Sequence, residues 1–370
     1  MIMLRPAPTP AVSFREKEKK EEASPERIHE LASTLSTRLD TALKEIQTIN
    51  LQTKLLSFNA QIEAARAGMI GASFNVVASE MIRLSTTTTT VSDRLRGEMV
   101  EPIRSLQKIS GALSHALMDS HGTRLSELAA VNIDLVDRNL YERSCDVRWW
   151  ATDISIVRAA TTGRPEDCRT ASDRMRVILG AYTVYADIVL CDLDGKVLAN
   201  GHPETHRFSR NVGHTEWFRS ALRTSSGEEF GFQGAHKLPE VPETYSLVYS
   251  CTVRDDGDQH GRVIGVLGVI FKWDSLGQTV VDNTPIAKEL RSSTRCMILD
   301  PKGLVLADTS GRIVEETLSF EKLHEFMQGG VKAYAPVEIH GRRYLLAYAK
   351  SQGFETYATD WHSIIMQELN

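Results

Sequence analysis

Along the first third of the chain apolar residues recur at steps of three and four: Ile28, Leu31, Leu35, Leu39, Ala42, Ile46, Ile49, Leu51, Leu55, Leu56 and Ile62. After an interruption the pattern resumes with Val77, Met81, Leu84, Val91, Leu95, Met99, Ile103, Leu106, Ile109, Leu113 and Leu117. That spacing predicts two amphipathic helices. The interruption holds Gly68 and Gly71, and glycine takes the positive φ that a chain reversal needs, so the helices form an antiparallel hairpin. Ser24-Pro25 supplies a capping hydroxyl and a first-turn proline at the start. Gly122 is read as the end, and Pro102 predicts a kink near Val100 and Glu101. Thr86 to Thr90 are poor helix formers, held helical by packing. One hairpin leaves an apolar stripe uncovered, so two are expected to pair as a dimeric four-helix coiled-coil bundle.

A further helix is expected from Leu125 to about Ala160, then a turn at Gly163-Arg164-Pro165 and a helix over residues 166–181. Beyond it the period changes to two and a repeat appears. VLCDLDGKVLAN (Val189 to Asn200) and MILDPKGLVLAD (Met297 to Asp308) align without gaps, each reading as strand, D-x-x-G turn, strand. Each copy is followed by a helical segment and two long strands, Tyr245–Arg254 with Arg262–Trp273, and Val331–Ile339 with Arg343–Lys350. The fold class is therefore α+β multidomain: a helical hairpin, a long helix and two antiparallel-sheet modules.

The reversal carries NAQIEAARAG and GASFNVVASE. These residues resemble the signalling tip of bacterial methyl-accepting chemotaxis proteins, a pattern of more than a score of positions at fixed spacing. An ordinary antiparallel coiled coil would explain the periodicity but not polar Asn59, Glu63 and Arg66 amid alanines. The resemblance implies that Leu51, Leu55, Leu56, Asn59, Glu63, Arg66 and Val76 pack receptor dimers into trimers. It also implies that Met69, Ile70, Phe74 and Val77 contact a chemotaxis histidine kinase and its adaptor. Gln61, Ser73 and Met69 depart from the pattern, Met69 standing where the family has an acidic residue. The duplicated unit behind a long helix, with GHTEWFRSAL and GRVIGVLGVIFKWDSL, is similar to a double Cache sensor built from two PAS-like modules. The expected divisions are a disordered tail (1–24), the signalling hairpin (25–121), sensor helices (122–182), a first Cache module (183–281) and a second (282–370).

The resemblance places the ligand in the first module, between sheet and loop-helix segment. Amino-acid binders of the family carry an arginine two residues before the tryptophan and an aspartate late in the long strand; this chain has Thr215 and Ile270 there, which disfavours an amino acid. The candidate ligand residues are Arg210, His214, Trp217, Phe218, Phe232, His236, Tyr245 and Tyr249. Aromatic walls with a few cationic or imidazole donors suit a small carboxylate or a flat heterocycle.

Composition narrows the remaining classes. The chain has 370 residues, 42% hydrophobic and 25% charged, enough for several cored domains. Its longest apolar run, Val263–Phe271, is far short of a bilayer span and no signal-peptide pattern occurs, so the chain is expected to be cytoplasmic. Five cysteines without paired spacing fit reduced thiols, and a formal charge of −5 disfavours nucleic acid. His202, His206, His214, His236 and His260 lack a metal-binding spacing, and no nucleophile elbow or phosphate loop occurs, so neither a metal, a cofactor nor an enzyme is expected. The expected role is a transducer that senses a small ligand and controls the kinase. The alternatives are an array or scaffold protein that leaves the kinase alone and, more distantly, a metal-dependent enzyme.

Overall fold

Helix α1 spans Pro25–Arg66 and α2 spans Ala72–Trp150 in a computed structural model of the protein, which describes residues 24–369. The expected tail lies outside the described residues except for Ser24, whose hydroxyl accepts from Arg27 N at 3.2 Å and caps α1. The chain divides into two compact units at Ser120/His121, within α2.

In the first unit α1 and α2 run antiparallel. Asn50 faces Thr89, Gln61 donates to Ser79 at 2.9 Å, and the Ser110 hydroxyl donates to the Pro25 carbonyl. A 3-10 turn over Gly68–Gly71 joins them. Gly68 takes φ 63°, and a Cβ at Gly71 would collide with the Ala64 carbonyl, so the two glycines have separate reasons. The contact between the helices is made largely of small residues, among them Ala32, Ser57, Ala64, Ala78, Ser85 and Ser92. Larger apolar side chains mostly face outward. All five threonines of Thr86–Thr90 are helical, and each hydroxyl donates to the carbonyl four residues earlier, a local bond that offsets their weak propensity. Pro102 does not end α2.

In the second unit α2 runs through Gly122, against the expected stop. A Cβ there would strike the Tyr334 ring, so this glycine admits close packing rather than a break. The helix expected to reach Ala160 ends at Trp150; Asp153 then caps α3 (Ile154–Thr162) by accepting from Ser155 N at 2.9 Å. Gly163 closes α3 at φ 60°, and Pro165 opens α4 (Pro165–Ala181).

Two five-stranded antiparallel sheets follow. The first holds β1 (Tyr185–Cys191), β2 (Val197–Asn200), β3 (Gly231–Leu238), β4 (Val241–Arg254) and β5 (Val263–Lys272) in the order β2-β1-β5-β4-β3, with α5 (Glu216–Leu222) packed on it. Helix α6 (Trp273–Asp282) leads to the second sheet, made of β6 (Thr294–Leu299), β7 (Val305–Asp308), β8 (Lys332–Ile339), β9 (Arg342–Lys350) and β10 (His362–Glu368), with α7 (Glu321–Gly329) after β7. Its order, β7-β6-β10-β9-β8, repeats the first. The repeat extends to detail. Asp192 Oδ1 accepts from Asp194 N and Lys196 N, as Asp300 Oδ1 accepts from Lys302 N and Leu304 N, and both turns close on glycines at φ 80° and 85°. By topology β8 and β9 match β3 and β4, and β10 matches β5. The expected pairing of Val331–Ile339 and Arg343–Lys350 with β4 and β5 was thus one strand out of step. Polar β3 (GFQGAHKL) conceals its alternation, and β10 lies behind an irregular stretch without period.

Candidate functional site

Strand alternation divides the first sheet into two faces, and the expected ligand residues fall on both. On the α5 face Trp217 and Phe218 are buried against Val248, Val266 and Ile270. Gly268 lets the indole lie on the strand, since a Cβ there would sit 2.7 Å from Trp217 Cζ3. Trp217 N donates to Gln233 Oε1 at 3.1 Å, and the Gln233 amide meets His236 Nε2 at 3.0 Å, which makes His236 Nδ1 the protonated nitrogen facing the Gly234 carbonyl at 2.7 Å. On the opposite face Phe232 packs on Tyr249 with ring centroids 5.2 Å apart. The buried Tyr249 hydroxyl bonds the Tyr357 hydroxyl at 2.6 Å. Tyr245 is half-buried under the Lys237 ammonium, 4.9 Å from its ring, and Arg210 and His214 are exposed. The eight residues therefore do not converge on one cavity.

A cavity of about 760 Å³ lies elsewhere beside the first sheet. Its walls include Ala186, His202, His206, Thr244, Lys272 and Gln278, with Glu243 and Asp274 also lining it. Buried Asp187 shapes the loop wall: its carboxylate accepts from Gly201 N at 2.8 Å, from Asn200 Nδ2 at 2.9 Å and faces His206 Nδ1 at 3.0 Å. Asp274 is held by the Thr244 hydroxyl and by Tyr245 N, and Lys272 Nζ donates to the Thr183 carbonyl at 3.1 Å. The Gln278 amide nitrogen donates to Asp282 and to the Asp308 carbonyl, leaving its Oε1 buried and unpartnered among the described residues. Ser246, cross-strand partner of Lys272, has a buried hydroxyl in the same condition. One cation, two imidazoles and two carboxylates around a polar space can orient a small charged molecule. Lys272, Glu243, Thr244 and Gln278 line this cavity and are not among the ligand residues expected from the sequence. Alternation along β5 placed Lys272 on the same face as Ile270 and Gly268, and that signal was readable.

Among the described residues no group of three or more His, Cys, Asp or Glu side chains is arranged for a metal ion. All five cysteines are free, and burial pushes the Cys251 and Cys296 thiols up to about 11. No helix among the described residues is long and apolar enough to cross a membrane.

At the reversal of α1 and α2 the expected contact residues are exposed. Met69 and Ile70 are 96% and 90% exposed, with Phe74 and Val77 beside them. Leu51, Leu55, Leu56, Asn59 and Val76 are also open, and Glu63 pairs with Arg66 at 2.8 Å.

The profile of the Cache domain matches residues 17–370. Over 94 residues the chain is 38% identical to methyl-accepting chemotaxis protein TlpQ of Pseudomonas aeruginosa, covering 25% of this chain and 12% of that one. Over 84 residues it is 32% identical to methyl-accepting chemotaxis protein IV of Escherichia coli, covering 23% and 16%. The chain thus spans a small part of these curated relatives. Among solved structures it is similar to the ligand-binding domain of the Campylobacter jejuni chemoreceptor Tlp3. The complex with 4-methylisoleucine gives a TM-score of 0.53 at 18% identity, covering 68% of this chain and 92% of that one. The complex with L-valine gives 0.53 at 18%, covering 69% and 95%. At that identity the likeness speaks to the fold.

Proposed function

The chain belongs to the Cache domain family, a chemoreceptor-type sensor and not an enzyme, and from that premise we propose that it is a cytoplasmic double-Cache transducer that controls a chemotaxis histidine kinase through the turn between α1 and α2. What carries the reading is one combination: the same chain presents a sensor fold with a polar cavity and an exposed apolar tip built on NAQIEAARAG and GASFNVVASE. Large apolar side chains facing outward from α1 and α2, over a seam of small residues, support a homodimer in which a second pair covers them. Asn59, Glu63 and Arg66 then remain for contacts between dimers. The runner-up is an array member that leaves the kinase alone, and what favours it is Met69, fully exposed where the family has an acidic side chain.

The ligand is a small carboxylate held in the cavity beside the first sheet, its charge met by Lys272 with His202 and His206. Tlp3 is named with 4-methylisoleucine and L-valine. In this chain Thr215 and Ile270 stand where amino-acid binders carry charge, and Glu243 is the group that would receive an ammonium. Calorimetry with L-valine and with isovalerate, the same skeleton without the amine, tests this. Binding is expected to weaken roughly tenfold in Lys272→Gln. A preference for L-valine that disappears in Glu243→Gln assigns the ammonium contact, whereas equal affinities assign a plain carboxylate. Undiminished binding in Lys272→Gln, or no heat from either compound, would remove this cavity as the site.

A further inference from the structure

A second cavity, of about 940 Å³, lies beside the second sheet. Its apolar wall comes from Leu318, Phe320, Ile339, Tyr344 and Met366, all but the last only half-buried, on the side of the sheet that packs on α7. Its polar wall contains a built ion cluster. Arg295 donates from Nε and Nη2 to both oxygens of buried Asp308, at 3.0 and 2.7 Å, and from Nη2 to Glu316 at 2.7 Å. In the internal repeat the same two positions hold Asp187 and Asn200, so the two sheets carry different chemistry at corresponding sites.

The charges around this cavity are unequally satisfied. Each lining carboxylate stands against an arginine: Glu316 with Arg295, Glu368 with Arg342 at 3.4 Å, and Glu338 opposite Arg343 in the β8–β9 register. The two remaining lining arginines are less occupied. Arg312 reaches Glu316 only at 3.5 Å, a carboxylate already bonded by Arg295, and Arg291 makes a 3.4 Å bond to the Ile286 carbonyl. Both are exposed, and donors therefore exceed acceptors beside an apolar wall. We infer that the second module holds its own binding site, for a small organic anion with an apolar body, separate from the cavity beside the first sheet. The guanidinium groups of Arg312 and Arg291 take the anionic head, and the wall of Phe320, Ile339 and Tyr344 takes the chain.

Calorimetry on the full chain with hexanoate, hexanol and hexylamine tests it, since the three share a body and differ in the charge of the head. Hexanoate is expected to bind best, and to weaken roughly tenfold in Arg312→Gln or Arg291→Gln, both at exposed positions. Ile339→Ser is expected to weaken hexanoate and hexanol alike. Lys272→Gln, at the first cavity, should leave the component of hexanoate binding that Arg312→Gln weakens. Equal binding of all three probes, no heat from hexanoate, full affinity in both arginine variants, or loss of that component in Lys272→Gln would each overturn the inference. The last outcome would assign the anion to the first cavity, so failure here is distinct from failure there.

Discussion

Single side chains in the second unit set its response to acid and to loss of a hydroxyl. His362 stacks on Tyr348, and its Nδ1 meets the Tyr348 hydroxyl at 3.0 Å. Burial, helped by the nearby Lys350 ammonium, lowers its pKa to about 4, against an ordinary value of about 6.5. Between those values the unfolded chain takes up a proton that the folded chain refuses. Its contribution to stability is therefore complete above about pH 6.5 and is lost as pH falls toward 4. Urea midpoints measured across that window should fall less steeply in His362→Gln than in the parent; parallel slopes would reject the assignment. The Tyr249–Tyr357 bond makes a second case. Tyr357→Phe strands a buried hydroxyl and should cost about 1–3 kcal/mol, whereas adding Tyr249→Phe should recover much of that loss, read as a double-mutant cycle in urea. At this scale the sequence was unevenly legible. Asp192 and Asp300 announced their turns, because a D-x-x-G repeat is local. The arrangement of the expected ligand residues was not legible, because which face an aromatic takes depends on register: Phe232 and Tyr249 are one cross-strand pair on the face away from Trp217.

Elements show the same division between local and distant causes. The reversal at Gly68–Gly71, the cap at Ser24 and the turn at Gly163 were readable from a few neighbouring residues. Gly122 was misread because what requires it, the Tyr334 ring, lies far along the chain. Gly268 is similar: nothing in VIGVLGVIFK says that an indole rests on it. Gly268→Ala should force Trp217 aside and cost about 1–3 kcal/mol, seen as a lower urea midpoint with little change in slope. The spacing of large apolar residues along α1 and α2 predicted helices correctly, yet the seam between the two is built mostly of alanine and serine. A stripe of large residues is thus no guide to which neighbour it meets.

The whole molecule joins a Cache fold to a helical pair, and the proposed signal passes between them through assembly and ligand-dependent populations. If the outward apolar faces of α1 and α2 are covered by a second copy, light scattering should give a dimer mass. Leu35→Glu with Leu113→Glu should then shift it toward monomer while the two sheets keep their near-ultraviolet signature; a monomeric parent would refute the homodimer. On the proposed reading the tip drives a kinase despite Met69, through apolar contact with Ile70, Phe74 and Val77 in place of an acidic one. The most direct test of that reading is the autophosphorylation rate of a chemotaxis histidine kinase, with adaptor present, compared for this protein and its Met69→Glu variant. Both proteins are expected to change the rate. A change with Met69→Glu alone, or with neither, would contradict it.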